Sequence, residues 1–317
     1  MAEDQYSDEM LLQIARLYYV DGLPQTNVAR LANVSQAKVS RLLAKARERG
    51  IVRITVAEYN PRDHELEIEL ESRLGLRQAV VVKTAKGLNA VELRQSLTHF
   101  AAPWVARWLP PHGTVAIAGG RTMQWLIHNM TAPPGAEGMT VVQAMGNIDA
   151  SVGPYDALEL GRVLAKRWCG RFFILNTPAL LPDAKTRRTL LGLESVCSVV
   201  ERLHGAEAAL VGVGTLHNSV FMERGVLTDK DTERLTKAGA VGEICGRFYN
   251  RNGDECQTPY RERVISIEFD DLRHAEESIA VVSGSDRTEA ILGALRGGLI
   301  KSLVIDRAGA VALLEAN

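Results

Sequence analysis

Gly119-Gly120-Arg121-Thr122 combine the groups that hold a phosphate. Glycine lets the backbone approach a ligand closely. The free N–H groups of a helix start attract an anion, the Thr122 hydroxyl donates, and Arg121 adds charge. The turn follows an apolar run, 114–118, and precedes a helical stretch. Its spacing is neither that of a Walker loop nor that of the dinucleotide fingerprint. An ordinary strand-to-helix turn fits the same residues, so the signal gains weight only from similar turns elsewhere. Gly212-Val213-Gly214-Thr215 ends the run 208–213. GAVGEICGRF, 239–248, sets Glu243 among glycines, where a carboxylate can accept from sugar hydroxyls. Ser283-Gly284-Ser285-Asp286-Arg287 follows the run 279–282 and opens a helix. The candidate ligand-binding residues are therefore Gly119, Gly120, Arg121, Thr122, Gly214, Thr215, Glu243 and Arg287. A carboxylate repels a phosphate, so Glu243 and the Gly-Gly turn are expected at opposite ends of one ligand, with Arg287 closing the anionic end.

A second constellation lies in TNVARLANVSQAKVSRLLAKARER, 26–49. Val28, Ala32, Val34, Val39 and Leu42 have the spacing that packs one short helix across another. Asn33 suits a left-handed turn and Ser35 suits an N-cap. This is the pattern of a helix-turn-helix. Ser35, Gln36, Ala37, Lys38, Ser40, Arg41 and Lys45 then stand where side chains meet base edges and phosphates of duplex DNA. Between residues 30 and 53 the basic residues are Arg30, Lys38, Arg41, Lys45, Arg47, Arg49 and Arg53, against the single acid Glu48. A one-signed patch of this kind fits phosphates better than a solvated helix face, where signs mix. The whole chain carries a net charge of −1, so DNA binding rests on this local patch.

The elements that must position these groups fall into three stretches. Residues 1–58 form a helix-turn-helix domain. Within it 7–20 is an amphipathic helix capped by Ser7 or Asp8, and 51–58 alternates like a strand, half of a small wing. Residues 59–76 form a linker helix whose Leu66, Leu70 and Leu74 share one face, either core or a seam to a partner chain. Residues 77–317 form the effector domain. There apolar runs at 79–82, 114–118, 140–143, 172–175, 208–213, 264–267, 279–282 and 302–305 alternate with helical stretches. Continuous rather than alternating apolar strands predict an α/β fold with a Rossmann-like parallel sheet covered on both faces. Such sheets bind ligands at the carboxyl ends of their strands.

With 46% apolar residues among 317, the chain can fill one large core and a small one. It contains no apolar run of eighteen, and its acidic start is no secretory signal. The four cysteines form no C-x-x-C pair and the seven histidines no metal spacing. Reduced thiols, a cytoplasmic protein, no metal and no cofactor are the expectation.

GGRTM, LVGVGTL, GAVGEICGRFYNRNG, RVISIEFDDLR and EAILGALRGGLIKSLVID, after VSRLLAKARERGIVRI, resemble the SorC/DeoR-type sugar-binding transcriptional regulators along almost the whole chain. The resemblance implies an N-terminal helix-turn-helix and an effector domain similar to ribose-5-phosphate isomerase, glucosamine-6-phosphate deaminase and CoA-transferase folds. It places the family's phosphate-binding turn on Gly119 to Met123. It further implies a homodimer or homotetramer on double-stranded operator DNA, controlling a carbohydrate or polyol catabolic operon in response to a small sugar or polyol, phosphorylated in the first instance. Two positions depart from the family pattern. Glu243 stands for the usual Asp before Ile-Cys-Gly, and Arg287 for a Lys after a Gly-Gly turn, which argues against Schiff-base chemistry there. The alternative is a sugar-phosphate isomerase or deaminase carrying a DNA-binding arm. Such an enzyme needs a poised general base. Asp149, Asp156, Glu243 and Asp286 are available, but no tight acid/base pair is visible, and the expectation is no enzyme.

Overall fold

A computed structural model describes residues 6–57 and 59–317. The chain divides between Asn60 and Pro61 into two compact units.

In the first unit the helix Asp8–Ala15 continues as one π-helical turn, Arg16–Val20. Ser7 is the cap, accepting from the Met10 N–H. The helices Gln25–Leu31 and Gln36–Glu48 follow. Between them Asn33 adopts φ 51°, and Val34 N–H donates back to Ala29 O at 2.9 Å. That left-handed stop ends one helix and aims the next. Leu11, Ile14, Val28, Ala29, Val39, Leu42, Leu43 and Ala46 make the core. Residues 51–57 form no strand, and Glu58 lies outside the described residues. Their alternation had predicted half of a wing. A strand needs a neighbour to take its N–H and C=O groups, and the described residues of this unit contain no second strand.

The second unit is built on parallel strands β1 (Gln78–Val82), β2 (Thr114–Ile117), β3 (Thr140–Gln143), β4 (Arg171–Phe173) and β5 (Ala208–Val211). A small antiparallel pair follows, β6 (Gly242–Ile244) with β7 (Arg247–Tyr249), and then the parallel β8 (Glu277–Val281) and β9 (Ser302–Asp306). Among the described residues the large sheet has seven strands in the order β1-β9-β8-β5-β2-β3-β4. Neighbouring strand residues point to opposite cores. Val80, Val115, Leu210 and Val281 meet the helices Ala90–Trp108, Arg121–Asn129 and Ala157–Arg167. Val81, Ala116, Val211 and Ala280 meet the opposite core, with Glu194–His204, Thr288–Arg296 and Arg307–Ala316. Both faces are dry, which is why the strands read as unbroken apolar runs.

The helix His64–Leu74 belongs to this unit. Leu70 is fully buried, and Leu66 and Leu74 pack on the core around β1, so this face is core rather than a seam. Glu67 accepts from Val81 N–H at 2.9 Å and Glu71 from Ala79 N–H at 2.8 Å. The helix thereby occupies donors on the free edge of β1.

Residues 264–267 are not a strand of the sheet. They cross the carboxyl end of β3, where Val264 and Ser266 make isolated bridges to Leu180 and Met145. The run is apolar because the crossing is buried. No described helix is long and apolar enough to cross a membrane.

Candidate functional site

The strand order reverses at β2. From β2 the chain proceeds to β3 and β4 on one side, while β5 lies on the other. The connections leaving β2 and β5 diverge to opposite faces and open a crevice at the strand ends. A cavity of ≈ 110 Å³ lies there, lined by residues just past β2, β3, β5 and β8. It has room for one small ligand.

The Gly-Gly turn forms one wall. Gly120 adopts φ 132°, which strongly favours glycine, and its N–H donates to Tyr155 O at 2.8 Å. A Cβ on Gly119 would stand 2.8 Å from the same oxygen and 2.9 Å from Ala157 N. Gly120 then caps the helix Arg121–Asn129, whose first internal bond runs from Gln124 N–H to Gly120 O. The N–H groups of Arg121, Thr122 and Met123 have no intrahelical acceptor. Thr122 lines the cavity, and its hydroxyl takes no protein partner among the described residues. Met123 lines it too and is otherwise core.

Three guanidiniums converge beside this turn: Arg94, Arg121 and Arg287. Burial pulls Arg94 below the usual arginine pKa, and the charges of Arg121 and Arg287 pull it further. Burial likewise lowers Arg287, with Asp286 opposing and Arg121 adding to the shift. Arg121 bonds Glu223 at 2.8 Å and Asn218 Oδ1 at 3.1 Å. Asn218 donates to Asp286 at 2.7 Å, and Arg287 donates to Asp286 at 2.9 Å and to Ser283 O at 3.0 Å. Arg94 was not legible in the sequence. It sits in the first turns of the helix Ala90–Trp108, and only the fold carries it to the cavity.

Glu243 forms another part of the lining. Gly214 and Glu243 exchange two backbone bonds, at 2.8 and 2.9 Å. A Cβ on Gly214 would fall 2.5 Å from Glu243 Oε2, so this glycine makes space for the carboxyl. Burial lifts the Glu243 pKa to about 7, opposed only by the N–H of Gly246, which donates to Oε1. The hairpin that presents Glu243 turns through Cys245 at φ 51° and Gly246 at φ 76°. Two left-handed residues make the tight turn that strand twist prefers. The sequence reads these glycines as a turn, without the two short strands that flank it. The Cys-Gly pair between Ile244 and Phe248 was the available hairpin signal.

Thr215 is not part of the lining. Its hydroxyl accepts from the N–H groups of His217 and Asn218 and shapes the turn below the site. The other carboxylates are engaged. Asp149 and Asp156 pair with Arg224 at 2.8 and 2.6 Å, and Asp286 is held by Asn218 and Arg287.

In the first unit, Ser35 accepts from Lys38 N–H at 3.2 Å and starts the helix Gln36–Glu48. Ser35, Gln36, Ala37, Ser40 and Arg41 are exposed. Lys38 and Lys45 are half-buried; the Lys38 ammonium lies 5.5 Å from the Tyr6 ring centre, and Lys45 pairs with Glu48 at 3.2 Å.

Residues 60–315 match the family model described as "Putative sugar-binding domain". The deoxyribonucleoside regulator of Bacillus subtilis (strain 168) is 31% identical over 98% of this chain and 99% of its own length. The sorbitol operon regulator of Klebsiella pneumoniae is 29% identical over 96% of this chain and 98% of its own length. The crystal structure of the full-length sorbitol operon regulator SorC from Klebsiella pneumoniae superposes with a TM-score of 0.78 at 28% identity, covering 98% of this chain and 100% of that one. These relatives are named as regulators, not enzymes. With the domain and the relatives aligned along nearly its whole length, the chain belongs to the SorC/DeoR-type family of sugar-binding transcriptional regulators.

Proposed function

We propose that this regulator binds duplex operator DNA through its helix Gln36–Glu48 and answers to a small phosphorylated sugar or polyol held in the strand-end cavity. It acts on a carbohydrate or polyol operon in the cytoplasm, as a homodimer or homotetramer. The observation that carries the effector reading is the convergence of Arg94, Arg121 and Arg287 on a helix start with free N–H groups. Like charges gathered beside a helix N-terminus favour an anion. Glu243 supports a hydroxyl-binding end: its carboxyl lines the cavity and bonds the N–H of Gly246 and no guanidinium among the described residues. Calorimetry with a panel of sugar and polyol phosphates tests the reading, and a folded protein that binds none of them rejects it. Thr122→Ala is expected to weaken the bound member by about 1–2 kcal/mol through a lost charge-assisted hydrogen bond, with operator affinity unchanged.

The DNA-binding reading rests on the exposed face of Gln36, Ala37, Ser40 and Arg41. Arg41→Ala should cost about 1–3 kcal/mol in specific binding if Arg41 reads a base. An electrophoretic shift titration on the upstream region measures it. Unchanged affinity in both Arg41→Ala and Lys38→Ala would remove this helix from the interface.

A further inference from the structure

Both terminal nitrogens of Arg121 are engaged within the protein, Nη1 by Glu223 at 2.8 Å and Nη2 by Asn218 at 3.1 Å. Asn218 is itself held by Asp286. The guanidinium keeps its Nε–H and one N–H on each terminal nitrogen, so an anion can reach Arg121, but there it shares the cation with the Glu223 carboxylate and is repelled by it. Of the two partners of Arg121, Glu223 is the one that can leave. Its side chain is 41% exposed and that of Arg121 34%, so the pair sits in a well-solvated setting where ion pairs are weak. Glu223 ends the short helix Val220–Glu223, and Ser219, Val220 and Phe221 just before it line the cavity. The next residue, Arg224, clamps Asp149 and Asp156 at 2.8 and 2.6 Å. Residues 218–224 thus form a strap beside the ligand, tied to the anion-binding turn by Glu223 and to the loop 149–156 by Arg224.

We propose that Glu223 is a built-in competitor of the ligand's anion for Arg121, and that an anion bound there releases the strap 218–224. This inference rests on the anion-binding reading of the cavity. A neutral polyol held at Glu243 leaves the Arg121–Glu223 pair closed, so the strap reports the charge of the ligand and not mere occupancy.

The probe is inorganic sulfate, titrated by calorimetry into the full chain, with hydrogen exchange followed over residues 218–224. Sulfate should speed exchange of these amides in the wild type. Glu223→Gln should bind sulfate about twofold to fivefold tighter, the scale of a lost surface pair, and should exchange fast without sulfate. Glu223→Asp, shorter by one methylene, should shift in the same direction and serves if the first variant disturbs the fold. Sulfate affinity equal to or weaker than wild type in a folded variant overturns the competition. Sulfate binding that leaves strap exchange unchanged overturns the release. If neither wild type nor variants bind sulfate or any sugar phosphate, the anion-binding reading itself has failed.

Discussion

Arg287→Met should weaken the tightest-binding sugar phosphate by two to three orders of magnitude while operator affinity stays unchanged. Arg287 is 9% exposed and donates to Ser283 O and Asp286. With a ligand anion, Arg287 makes a desolvated charge pair across the binding interface, and truncating one member of such a pair costs about 2–5 kcal/mol, which brackets that loss. Asp286, still held by Asn218, then loses the guanidinium that balances its charge beside the cavity, which adds repulsion to the missing attraction. Arg287→Lys keeps the charge but replaces a planar fork by a compact ammonium on a differently shaped stem, so an intermediate loss is expected. Calorimetry against the same ligand reads both variants, and thermal melting confirms that they fold. Wild-type affinity in Arg287→Met would place the anion end elsewhere in the cavity.

The parts of the molecule that were legible in the sequence are those whose physics is local. The runs at 114–118 and 302–305 announced buried parallel strands because each residue meets one of two apolar cores. The Gly-Gly turn was readable because close backbone approach and a left-handed φ both call for glycine at adjacent positions. Asn33 and Ser35 likewise stop one helix and start the next by contacts within a few residues. What escaped depends on distant partners. Residues 264–267 have strand composition because they are buried, yet they cross the strand ends. Residues 51–57 alternate but have no ladder to join. Arg94 lies in a helix whose own sequence gives no hint of the cavity. Lys38 stands on the helix expected to meet DNA, and its half-buried ammonium lies 5.5 Å from the ring centre of Tyr6, far away in the sequence. Thr215 is the local exception: its hydroxyl accepts from the N–H groups of His217 and Asn218 in its own turn, which composition alone does not distinguish from a ligand-facing hydroxyl.

Glu243→Gln should remove a specific slope from the pH dependence of stability. The carboxyl is buried, and its pKa stands near 7 in the folded chain against an ordinary value of 4.5. The sign follows from proton counting. Between these two values the folded state keeps a proton that the unfolded state has released, so stability falls as pH rises through the window and levels off above about 7. The loss between pH 4 and pH 8 is about 3 kcal/mol, from roughly 1.4 kcal/mol for each pK unit. Glu159, Asp183 and Asp231 have lowered pKa values and act in the opposite direction, with stability lost toward acid. The difference between wild type and variant cancels them. Denaturant unfolding at a series of pH values should therefore show the variant gaining on wild type steadily from pH 4 to pH 7. A constant offset across that range would mean that the buried carboxyl titrates normally. The same proton matters to a ligand. As a neutral acid Glu243 both donates and accepts, so it can bond a sugar hydroxyl without the repulsion that a carboxylate would direct at the ligand's anionic end.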